Sequence, residues 1–155
     1  MSKKKYVTVA GLPNFHGQHP FDGNKYILIR KDPNNPYDSE AILAETMLWG
    51  PVGFVPGHPA ARIKGTMSAG RLYDKMGERT IAKVRFSAEN FAICSLVSKK
   101  KSEKHLRRFD RFRRDMQVLE KLFASDPQSS IVIRIIQGDG QDIPENNDNP
   151  WDSRK

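Results

Sequence analysis

Two apolar segments, Tyr26-Ile27-Leu28-Ile29 and Ala41-Ile42-Leu43-Ala44, are separated by a polar turn with little conformational freedom, Arg30-Lys31-Asp32-Pro33-Asn34-Asn35-Pro36-Tyr37-Asp38-Ser39-Glu40. Pro33 and Pro36 fix their own φ angles and push Asp32 and Asn35 toward extended backbone. Asn34, Asn35 and Asp38 carry side chains that bond the local backbone in Asx-turns. The apolar segments are therefore predicted as strands on either side of a rigid turn. Such a turn loses little entropy when it binds a ligand. It displays Tyr37 beside Asp38, an aromatic that can stack on a base and a carboxylate that can accept from a sugar hydroxyl. A turn that merely joins two strands is the plainer reading of the same composition.

The rest of the chain to Val97 reads as short strands. Tyr6-Val7-Thr8-Val9-Ala10 is the first, ending at Gly11, and a loop follows to about Asn24. Trp49-Gly50-Pro51 turns the chain, and Val52-Gly53-Phe54-Val55 continues as a strand. Gly57-His58-Pro59 reads as a helix start, with Pro59 near the first helical position. That helix is predicted to run through Ala60, Ala61, Ile63 and Met67 and to stop by Gly70. Residues Thr80 to Phe86 alternate as a half-buried strand does, and Phe91 to Val97 pairs with them. The pattern predicts an α+β fold that is mainly β, a small OB-like β-barrel with an inserted helix.

Ser98 to Ala124 reads as a basic amphipathic helix. Leu106, Phe109, Phe112, Met116, Leu119 and Phe123 recur at spacings of three and four and form one apolar stripe. Between Lys99 and Asp115, nine Lys and Arg stand against three carboxylates, a local net charge of +6. Ser130 to Ile136 is predicted as a final strand, and from Gly138 onward the composition is that of a disordered acidic tail. The expected organisation is a barrel over 1–97, a basic helix and strand packed on it over 98–137, and the tail over 138–155.

The run from Lys31 to Ile42 resembles the signature of the HIRAN family: basic, acidic, Pro, Asn, Asn, Pro, Tyr, Asp, two variable residues, Ala, Ile. A second motif of that family, Gly-x-Val-Pro followed by Ala-Ala, is similar to Gly53-Phe54-Val55-Pro56 and Ala60-Ala61. The resemblance covers about Tyr6 to Val97. It implies a compact barrel related to the OB-fold that grips the 3′ end of single-stranded DNA. Tyr37 would stack on the terminal base, Asp38 would accept from the 3′ hydroxyl, and Phe91 would stack on the next base. Asn34 and Asn35 would support the turn and touch the nucleotide. The chain departs from the family where Pro13 and Asn14 follow Gly11-Leu12 in place of Arg and Tyr. It departs again at Phe54 and Gly57, where a polar contact and a Lys can stand.

Residue chemistry bounds the function further. The 155 residues carry a formal net charge of +8, which favours a polyanionic partner, nucleic acid first. Lys31 and Arg62, with Arg30 and Lys64, are candidates for phosphate contact, as is the helix start at His58 to Ala61. His16 and His19 are a weak metal signal without a third ligand, so no metal and no cofactor are expected. The single cysteine, Cys94, lies in an apolar strand and reads as a core residue in a cytoplasmic protein. No segment reads as a membrane span, and no nucleotide-binding loop or nucleophile motif is present. The expectation is a binding module and not an enzyme, acting on single-stranded DNA ends in repair, replication or mobile-element processing beside a helicase or nuclease partner. The alternatives are a protein-interaction module that dimerises or docks through the helix stripe, and a metal-dependent nuclease.

Overall fold

The computed structural model describes residues 4–124. Six strands, β1 (Tyr6–Ala10), β2 (Tyr26–Lys31), β3 (Ile42–Thr46), β4 (Gly50–Phe54), β5 (Arg79–Ser87) and β6 (Phe91–Leu96), close a barrel in the order β1-β4-β3-β2-β5-β6. Every pairing is antiparallel. Closure removes the exposed edges an open sheet would present. Among the described residues three α-helices join it: α1 (His19–Gly23), α2 (Ala69–Lys75) and α3 (Lys99–Phe123). The small α+β barrel expected from the strand pattern is what forms.

Alternation along the strands divides inside from outside. Val7, Val9, Ile27, Ile29, Ile42, Ala44, Val52, Ala82, Ala92 and Cys94 fill the interior and are fully or almost fully buried. Burial pushes the Cys94 thiol up to about 12, so it stays protonated and acts as a small core residue. Close packing also explains Gly53, where any Cβ would press on Val9 and on the carbonyl of Ala10.

The barrel has a second apolar layer on its outside. Leu28 and Ile81 face each other across β2 and β5. They are covered by Phe109 of α3, with Tyr26, Met47, Val97 and Leu106 around them. Burying each of these large side chains contributes about 1.5–3 kcal/mol. Ser98 caps the helix by accepting from the Lys101 N–H at 3.3 Å. Ser102 then accepts from the Ile81 backbone N–H at 3.1 Å, and Arg79 clasps Asp110 with two bonds of 2.6 and 3.0 Å.

Several sequence expectations are corrected. The helix predicted from Pro59 to Gly70 is a 3-10 turn over Pro59–Ala61, followed by a loop, with α2 beginning only at Ala69. The loop leaves helical geometry because it must reach β1. Thr8 Oγ1 accepts from Ile63 N–H at 3.1 Å and bonds Thr66 Oγ1 at 2.8 Å, and Gly65 takes φ 93° between them. The loop predicted between Gly11 and Asn24 contains a 3-10 turn over Leu12–Asn14 and α1. The helix stripe forms from Leu106 to Leu119, with Phe109 and Met116 buried and Leu106, Phe112 and Leu119 half-buried; it extends back through buried Ser102 and His105, and Phe123 at its end is exposed. The predicted strand at 130–136 and the acidic tail lie outside the described residues.

Candidate nucleic-acid interface

The turn between β2 and β3 is organised by one side chain. Asn35 Oδ1 accepts from the backbone N–H of both Tyr37 and Asp38, at 2.9 and 3.1 Å. Its Nδ2 donates to Asp32 at 3.2 Å, and its own N–H donates to the Asp32 carbonyl. Asp32 N–H to Ala41 C=O and Ala41 N–H to Asp38 C=O close the base of the turn at 2.8 and 3.2 Å. Asn35 is thus a scaffold residue with both ends of its amide engaged. Asn34 is exposed beside it. Asp38 Oδ1 accepts from Glu40 N–H at 2.9 Å, which orients the carboxylate. A carboxylate held through one oxygen keeps the other as an acceptor. Tyr37 is 95% exposed, an isolated ring on a rigid backbone.

The strand register places further candidates. Arg30 lies opposite Leu43, Leu43 opposite Phe54, Phe54 opposite Ala10, and Ala10 opposite Phe91. Residues directly opposite in a ladder share a face. Phe54 and Phe91 therefore stand on the same outer surface, two strands apart, about 10 Å. The turn leaves the barrel one residue beyond this row, at the Lys31–Ile42 pair. Phe54 lays its ring over Gly11, whose φ of 74° and lack of a side chain permit that approach. Phe86 adds a third ring, 6.0 Å from Phe91 and tilted to it.

Alternation along β5 would send Phe86 inward with Val84. A register shift between Val84 and Phe86 sends it out opposite Ile93 instead, leaving it 54% exposed. No local residue pattern announces that bulge. An aromatic at the end of a strand, near a second aromatic across a short turn, was the available hint.

The basic candidates divide by their partners. The Lys31 ammonium sits 4.1 Å above the Tyr73 ring of α2. Arg30 is paired with Glu45, a buried carboxylate that also accepts from Arg113 at 3.3 Å. The Arg62 guanidinium donates to the Thr66 carbonyl and its Nε is buried, so it closes its own loop. Lys64 is exposed. The His58-Pro59-Ala60-Ala61 segment is one 3-10 turn, in which His58 Nδ1 accepts from Ala60 N–H at 3.1 Å, and it offers no helix N-terminus to a phosphate. His16 and His19 both pack against Trp49, with ring centroids 4.9 and 5.7 Å away. Among the described residues no group of three or more His, Cys, Asp or Glu is placed to hold a metal ion, and no helix is long and apolar enough to cross a membrane.

No known family model and no curated protein matches the sequence. Among solved structures the chain is similar to the HIRAN domain of human HLTF, at 20% sequence identity and a TM-score of 0.41, over 70% of this chain and 88% of that one.

Proposed function

We propose that the protein binds single-stranded nucleic acid at the β2–β3 turn and the adjoining aromatic row, and that it reads a DNA 3′ end there. The observation that carries this reading is the register that sets Phe54 and Phe91 on one outer face beside the preorganised turn. Exposed aromatic rings on a firm backbone are stacking platforms, each worth about 1–3 kcal/mol per base. Tyr37 would take the terminal base, Asp38 the 3′ hydroxyl, and Phe91 the next base. Phe54 lies where the family pattern allows a polar group, and here it extends the stacking surface. The protein would act as a binding module in DNA repair, replication or mobile-element processing, with catalysis supplied by a helicase or nuclease partner.

The test is fluorescence anisotropy with labelled single strands ending in a 3′ hydroxyl, ending in a 3′ phosphate, or closed into a circle. Preference for the free hydroxyl, abolished in Asp38→Ala and weakened about 5- to 150-fold in Tyr37→Ala, is the expected result. Equal binding to all three substrates, unaffected by Tyr37→Ala, removes end recognition at the turn.

A second reading has its own observation. Val118, Leu122 and Phe123 are 56%, 67% and 41% exposed at the end of α3, beyond the part that packs on the barrel. These apolar side chains suit a docking or dimer contact. Sedimentation of wild type against Leu122→Glu would show a shift toward monomer if they serve that purpose.

A further inference from the structure

A groove of about 1220 Å³ runs between the C-terminal end of α2, the outer face of β5 and β6, and the first turn of α3. Lys5, Lys75, Lys83, Arg85, Lys99 and Lys101 line it, from four separate parts of the chain. Its lining holds one carboxylate, Glu103. Arg79 also borders it but is clasped by Asp110. The concentration of charge is felt within the fold: Arg85, followed by Lys25, holds the Lys83 ammonium below its ordinary pKa. Lys101 rests 5.4 Å over the Tyr26 ring, which positions its charge at the groove. Arg85 donates through Nε to Ser95 at 2.8 Å, an anchor that leaves its two terminal nitrogens for a ligand.

The groove joins the aromatic row without a break in the strands. Arg85 directly precedes Phe86, and the outward positions of β6 run Phe91, Ile93, Ser95. From Phe91 to Ser95 is about 13 Å along the strand. A strand stacked at Phe91 and Phe86 therefore meets the cationic groove as it extends along β5 and β6. The first turn of a 25-residue helix adds potential of the same sign.

We propose that this groove is a second, sequence-independent site that carries the sugar-phosphate backbone of the bound single strand away from the aromatic row. Lys83, Arg85 and Lys99 would contact successive phosphates, and the length of strand bound would exceed what the turn and the aromatics cover. The inference rests on the nucleic-acid reading above for what sits at Phe91, but the groove makes its own contribution to binding.

The experiment compares short strands of about 4 nucleotides with long ones of about 16 at several salt concentrations. It uses the wild type, Phe91→Ala, and the combined variant Lys83→Gln, Arg85→Gln, Lys99→Gln. The three groove positions are outside the core, so an unchanged melting temperature will confirm that the combined variant folds. The expected result is a long-strand salt slope reduced by about 2 in the combined variant, from three lost contacts at about 0.7 each. Its short-strand affinity should stay within about twofold, while Phe91→Ala weakens both lengths. An unchanged long-strand slope and affinity overturns the groove. A reduced slope with Phe91→Ala silent keeps the groove and removes the stacking site instead. Wild-type binding to phosphatidylserine vesicles that the combined variant loses, with long-strand binding unaltered, gives the groove to a lipid surface and also overturns the proposal.

Discussion

Among the described residues the outside of the barrel is apolar in two places, and only one of them is covered. Across β2 and β5, Leu28 and Ile81 disappear beneath Phe109 and Leu106 of α3. Across β4, β1, β6 and the end of β5, Phe54 stays 37% exposed, Phe86 54% exposed, and Phe91 half-buried, with no helix above them among the described residues. Both places arise largely from outward positions of alternating strands, with the β5 bulge adding Phe86 to the second. Their difference lies in the polar groups around them. The covered face is tied to α3 by Ser102 to the Ile81 N–H and by Arg79 to Asp110. The bare face is bordered by the self-bonded turn on one side and by a concentration of cations on the other. An apolar surface sealed by fitted polar partners contributes to stability. One left open between a rigid turn and positive charge has the composition of a binding surface.

Mutations should separate the two faces, beginning with the largest effect. Phe109→Ala leaves a cavity over Leu28 and Ile81 and should cost about 3–5 kcal/mol of stability in denaturant titrations. It should leave short-strand affinity unchanged wherever the protein remains folded. Phe91→Ala should do the reverse, with a small change in melting temperature and a loss of about 1–3 kcal/mol in binding short strands. A Phe91→Ala variant that loses several kcal/mol of stability yet, while folded, binds normally would erase the distinction between the faces.

Acid should act on the covered face first. His105 is buried and stacked on Tyr26 at 4.0 Å. Burial, and then the charges of Arg108, Lys101 and Lys104, hold its pKa below the ordinary 6.5. The folded ring stays neutral where the unfolded chain takes up a proton. Stability from this site is therefore full above the ordinary histidine pKa and is lost as pH falls below it. Melting curves between about pH 8 and about pH 5 should show that decline in wild type and a weaker one in His105→Gln. Asp110, held low chiefly by Arg79, behaves as a carboxylate with a depressed pKa. Its contribution is present above the usual carboxylate range and is lost only in stronger acid. Arg79→Ala should have the smallest effect, about 1 kcal/mol or less, because both partners of the pair are substantially exposed.

How much of this was readable from the chain depends on the range of the interactions involved. Asn35 was legible as a turn residue because its bonds reach only Asp32, Tyr37 and Asp38. Tyr37 and Asp38 were legible as displayed groups because two prolines and an amide determine the local backbone. The strands were legible from their alternation, and α3 from its apolar stripe. The Pro59 helix was misread because local propensity favoured it, whereas Thr8, over fifty residues away, draws the 62–67 loop onto β1. Arg30 and Arg62 looked like free cations because Glu45 and the Thr66 carbonyl become their partners only in the folded chain.

The sequence by itself determined the barrel's strands, the rigid turn with its aromatic and carboxylate, and the basic amphipathic helix. These follow from backbone restriction, period-two and period-3.6 patterning, and charge, all of which act over a few residues. Only the tertiary structure decided which outer face α3 would cover and that a bulge would turn Phe86 outward. It alone set Phe54 and Phe91 on one surface and drew lysines and arginines from four segments into one groove. Those outcomes depend on strand register and barrel closure, which join residues far apart in the chain and leave no mark on the pattern near any one of them.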